Sequence, residues 1–254
     1  MEAEITGRLR AEFEETGRSD GDGGRARAVE AGHRTDDPVD QALLEMACYW
    51  EQRKDEFVEL GNILFFGFVD PAEFYDEPPM LGFETLGMIS TEWLLFEFAH
   101  FDGRTPLEEY VRNPPDTASE SSLRLLGQVA RSQFFSRFEI LDKDIERGVV
   151  TLSDVYGSKR YAVLDERACE VRHWSDGTLA ERIAYADGSW RMVGQAHYYD
   201  RAAAADTRVD GPGSFHPEDR VLKPEAEFAS FYMRLMRDLI GIDGRYRKTT
   251  TPLD

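Results

Sequence analysis

The feature that most constrains this chain is a change of apolar period near Phe134–Phe138. Before it, apolar residues recur every three or four positions. After it, they come in short, roughly alternating runs broken by glycine turns. A helix needs the first period and a strand the second, so one element type cannot serve both halves. The chain is therefore expected to be α+β, with a helical part before residue 136 and a sheet after it.

The first helix is marked by Asp37-Pro38, a capping side chain followed by proline at the first helical position. Val39, Leu43, Met46, Trp50, Phe57, Leu60 and Leu64 then form one stripe, which predicts a single long helix facing a core. Cys48 lies beside that stripe and reads as a buried thiol. Pro71 to Pro79 is a loop. A second helix runs from about Phe83 or Ser90 to Phe101. It is apolar nearly all round (Trp93, Leu94, Leu95, Phe96, Phe98, Phe101), which places it in the middle of the helical part. Thr105-Pro106-Leu107-Glu108 combines a cap, a first-turn proline and a capping box. That helix stops at Asn113-Pro114-Pro115, and another starts at about Ser119, with Leu123, Leu126 and Val129 on one face.

Five strands are expected: 138–145, 149–155, 160–164, 179–185 and 190–198, separated by turns at Arg147-Gly148, Tyr156-Gly157-Ser158, Ser175-Asp176-Gly177 and Asp187-Gly188. Five short strands in so little chain suggest a small antiparallel barrel, SH3-like or OB-like, because closure removes exposed edges. A C-terminal helix is expected beyond Lys223-Pro224, with Phe228, Phe231, Leu235, Leu239 and Ile240 on one face and Gly241 as its stop. The organisation is then a flexible acidic, Gly-rich segment at 1–37, a helical region at 38–135, a small barrel at 136–200, and a linker, helix and basic tail over 201–254.

The net charge is −19, with 25 Arg but only 5 Lys among the cations. Residues 41–135 alone hold 17 acidic against six basic side chains. Such charge excludes binding a polyanion through the whole surface. Abundant acid with scarce lysine fits adaptation to salt, and Arg codons in a GC-rich genome explain the lysine deficit equally well. Two cysteines, Cys48 and Cys169, exclude a disulfide scaffold and a four-cysteine zinc site. Met1-Glu2-Ala3-Glu4 lacks the cationic start of a signal peptide, and no run reaches the length of a membrane helix, so a cytoplasmic protein is expected.

The stretches EWLLFEFAHFDGRTPLEEYV and SQFFSRFEILDKDIERGVVTLSDVYGSKRYAVLDERA, spanning about residues 93–169, resemble a segment found in bacterial and archaeal proteins, some of which also carry a SEC-C zinc motif. The resemblance rests on Trp93 and Phe96, Gly103 to Pro106, Ser132 to Phe138, and Asp154 with Gly157. It implies no catalytic residue. The Cys-rich motif is absent here, so it implies no zinc site either.

Chemistry is sparse. Three histidines follow a glutamate by three positions: Glu30/His33, Glu97/His100 and Glu170/His173. On a helix that spacing puts two ligands on one face, and only Glu97/His100 falls on an expected helix. With Asp102 it forms the candidate metal or acid–base set, against the plainer reading that His100 ends a buried helix and Asp102 makes a turn. No nucleophile elbow or phosphate loop is present. Tyr156 and Trp174, beside turns, are the aromatics expected to be exposed on the barrel, where they would grip a peptide or stack on a base. Tyr161 and Trp190 read as core. Residues 234–248 are locally basic, and Arg245, Arg247 and Lys248 are candidate anion contacts. The leading expectation is a non-catalytic binding or adaptor protein with a protein partner, no cofactor and no membrane contact. An enzyme using Glu97, His100 and Asp102, and an RNA-binding protein using the barrel, are the alternatives.

Overall fold

The structure is a computed structural model and describes residues 37–67, 83–215 and 230–240. Contacts divide the chain into residues 1–35 and 36–254, and every described residue lies in the second unit. Residues 1–36 of the expected flexible segment, the loop at 71–79, the start of the last helix and the basic trio Arg245, Arg247 and Lys248 lie outside the described residues.

Helix α1 (Pro38–Glu51) starts where capping chemistry dictates, with the Asp37 carboxylate accepting from the Val39 and Asp40 amides. The long single helix is corrected. A 3-10 turn at Lys54–Glu56 separates α1 from α2 (Val58–Gly67) and shifts the helical phase. Phe57 stays buried, but α2 then buries Gly61 and Phe65 and exposes Leu60 and Leu64. The cause is close packing: a Cβ on Gly61 would stand 2.1 Å from Leu94 Cδ2, so this face of α2 must turn toward the next helix. Cys48 is likewise corrected and lies exposed.

Helix α3 (Phe83–Phe96) carries Trp93, Leu94, Leu95 and Phe96 into the core, as its all-round apolar character requires. Helix α4 (Pro106–Arg112) has the full Thr105/Glu108 capping box. Helix α5 (Glu120–Ser132) is capped by Ser119.

Strand β1 (Phe134–Asp144) begins directly after α5, four residues earlier than alternation alone indicates, since Gln133 already has extended backbone. It is followed by β2 (Val149–Asp154), β3 (Arg160–Leu164), a short helix α6 (Glu166–Glu170), β4 (Thr178–Ala186), β5 (Ser189–Met192) and β6 (Tyr198–Asp200). The order β1-β2-β3-β5-β4, closed by pairing of β1 with β4, makes a five-strand barrel, and β6 is an extra strand on β4. All pairings are antiparallel except β3 with β5, a correction to the all-antiparallel expectation. The expected strand 190–198 splits into β5 and β6 around Gly194, whose φ of +142° a strand cannot continue through. Asp187 and Gly188, at φ +51° and +80°, make the tight β4–β5 hairpin. The expected linker holds helix α7 (Ala204–Asp210), and α8 (Phe231–Ile240) is the C-terminal helix.

Two apolar cores result. One fills the barrel with Phe138, Leu152, Val163, Trp174, Leu179 and Ile183, and Ala168 and Cys169 of α6 join it. The other lies among the helices and extends onto the outer face of the barrel, taking in Ala180, Ala184 and Tyr198 together with Tyr232, Leu235 and Met236 of α8. Strand β4 is the wall between them, with alternate residues facing alternate cores.

Candidate functional site

Charged side chains are concentrated on both sides of that wall. On the outer side Arg182 is 1% exposed. Its Nε lies 3.0 Å from Glu92 Oε1 and its Nη2 2.7 Å from Glu97 Oε1, both brought by α3 and the turn after it. Nη1 donates to Gln133. The guanidinium stands 5.0 Å from the Phe96 ring centre and 5.5 Å from that of Tyr232. The second oxygen of Glu92 accepts from the Gln195 amide at 3.1 Å and lies 2.8 Å from His197 Nε2. Tyr232 of α8 donates to the Ile89 carbonyl at 2.9 Å, and Ser230 to Glu97 Oε2 at 2.6 Å. Gly194 is required here, since a Cβ would stand 2.7 Å from Glu92 Oε2.

Burial pushes the Glu92 carboxyl up, but His197 and Arg182 overcome this and hold it below the usual carboxylate range. Burial disfavours the Arg182 charge, and Glu92 and Glu97 more than restore it. Both oxygens of Glu92 are thus committed to protein donors. A general base needs contact with its substrate; these groups contact each other, and they join α3, the barrel and α8.

On the inner side of β4, Glu181 is fully buried and interacts through its side chain with Asp165, the N-cap of α6. Asp165 Oδ1 accepts from the Ala168 amide at 2.9 Å, while among the described residues its Oδ2 and both Glu181 oxygens have no donor outside the pair. Burial, then the charge of Asp165, raises the Glu181 carboxyl well above its ordinary value. Burial raises Asp165 too, against the Ala168 amide, Glu181, Arg167 and Lys143. The nearby Lys143 ammonium donates to the Ala168 and Val171 carbonyls.

The residues singled out from sequence fare differently. Glu97 is spent on Arg182 and Ser230. His100 packs among Phe57, Phe98 and Phe101, and Asp102, its side chain 95% exposed, takes the φ +50° position of a two-residue turn closed by Phe101 and Arg104. The three do not converge, and no group of three or more potential metal ligands occurs among the described residues. Tyr156 is exposed, its ring 5.3 Å from that of Phe231. Trp174 is corrected: it is 2% exposed, stacked on Tyr199 in the barrel core. Tyr161 is buried and Trp190 half-buried, with ring centres 4.8 Å apart. Sequence reading missed Glu92, Arg182, His197, Tyr232, Asp165 and Glu181. The available signal was a carboxylate in an all-apolar helix and a Glu181-Arg182 pair in mid-strand.

The remaining candidate is on the surface. Leu60, Ile63 and Leu64 are 46%, 54% and 41% exposed on α2. Leu60 and Ile63, with Asp55, Glu56, Phe57 and Glu59, line a shallow hollow of about 250 Å³. No family model, curated protein or solved structure matches this chain.

Proposed function

We propose that this protein is a non-catalytic binding protein, and that its partner is a protein segment with an apolar stripe flanked by cationic side chains. The observation that carries this is the surface of α2: three large aliphatic side chains exposed together, with Asp55, Glu56 and Glu59 alongside. Burying such side chains on binding gains about 25 cal/mol per Å² of apolar area. The carboxylates steer a basic partner and disfavour an acidic one. An amphipathic helix laid on this face supplies both features. The buried network of Glu92, Arg182, Glu97 and His197 supports the same reading, because its groups are engaged with protein neighbours. The RNA reading has less support, since β1 carries Glu139, Asp142 and Asp144 along one side of the barrel.

The test is fluorescence anisotropy with two labelled helical peptides sharing one leucine stripe, one with lysine on its flanks and one with glutamate. The full chain should bind the lysine peptide, more weakly as salt rises. A Leu60→Ser/Ile63→Ser/Leu64→Ser variant should lose about tenfold or more in affinity, as expected for apolar anchor residues. Equal binding of both peptides, or unchanged binding by the variant, overturns the proposal.

A further inference from the structure

We propose that the barrel holds one proton between Asp165 and Glu181 at neutral pH, and that its release loosens the barrel end closed by α6, making this a pH-responsive latch. The geometry supplies the reason. Two carboxyl groups face each other in a space where Glu181 is 0% and Asp165 2% exposed. As two carboxylates they offer only acceptors, and three of their four oxygens then have no donor among the described residues. One proton lets one donate to the other.

Charge balance asks for the same single proton. Lys143 from β1 and Arg167 of α6 both act on Asp165, whereas the charges acting on Glu181 are Asp165 and Glu92. Arg167 also lies over the Trp174 ring at 5.9 Å. Glu166 and Asp144 are negative, and Glu92, across β4, is already paired with Arg182 and His197. Cys169 is neutral, because burial, then Asp165, pushes its thiol up to about 11. The proton therefore rests on Glu181, which meets negative charge, while Asp165 stays ionised beside Lys143 and Arg167.

The consequence reaches α6 through Asp165, which caps it, and through Lys143, which holds the Ala168 and Val171 carbonyls. When Glu181 ionises, its proton goes to solvent and repulsion falls on the residue that caps α6. Ionisation of a group whose folded value is raised removes stability as pH rises. The loss starts at the ordinary carboxyl range and ends at the raised folded value.

The experiment is urea unfolding of the full chain and of Glu181→Gln between about pH 4 and about pH 9, starting from the ordinary carboxyl range. Glutamine keeps the shape and can donate to Asp165 without titrating. Through the titration range the wild-type folding constant should fall about tenfold per pH unit relative to the variant. In parallel, alkylation of buried Cys169, measured against exposed Cys48 in the same molecule, should rise with pH more in wild type than in the variant. Parallel stability curves overturn the shared proton, and equal alkylation ratios overturn the latch. Should Glu181→Gln not fold, carboxyl carbon NMR of Glu-labelled wild type decides: one glutamate should remain in its acid form at pH 7, and its absence overturns the proposal.

Discussion

Glu181 and Arg182 are neighbours in one strand, equally buried, and the protein treats them in opposite ways. Arg182 faces the helices and meets two carboxylates; Glu181 faces the barrel and meets another acid. The difference shows what each core is for. The outer core must join three parts of the chain, and the opposite charges of Glu92 and Glu97, with the Ser230 hydroxyl at the entry to α8, fix their register, since an unpaired charge there is costly. The inner core closes on itself, and tolerates an acid only by keeping it protonated.

The comparison can be broken at its strongest point first. Arg182→Met leaves Glu92 and Glu97 without their common cation and should cost about 3–5 kcal/mol in urea unfolding; a loss under about 1 kcal/mol would mean that the network is not a fastener. Next, Gly194→Ala places a Cβ against Glu92 at a backbone φ of +142°, and should cost about 1–3 kcal/mol. The two faces should also respond to pH with opposite sign. Glu92 has a lowered folded value, so its contribution is complete above the ordinary carboxyl range and is lost as pH falls through that lowered value. Glu92→Gln should therefore flatten the loss of stability below the ordinary carboxyl range, as Glu181→Gln flattens the loss above it, each by at most about 1.4 kcal/mol per pH unit. The smallest effect is expected for Tyr232→Phe, which removes the donor to the Ile89 carbonyl and should cost about 1 kcal/mol.

Much of the fold was legible where the chemistry is local. Asp37, Thr105 and Ser119 cap helices because a side-chain oxygen reaches amides two or three residues on. The turns at Gly148 and Gly188 follow from positive φ. Legibility failed where a neighbour distant in sequence decides. The stripe through Leu60 and Leu64 was continued in phase, but Gly61 packs on Leu94 and turns the helix. Trp174 sits beside a turn, which suggested exposure, yet Tyr199 and the barrel interior enclose it.

The sequence by itself determined the split into helices and barrel, because hydrophobic period is a property of consecutive residues. It also determined that Glu181 and Arg182 face opposite ways, because strand side chains alternate. Only the tertiary structure decided that Arg182 would be neutralised by residues 90 and 85 positions away while Glu181 would meet a second acid. Alternation selects the face a charge looks onto; what stands across from it depends on how distant segments close.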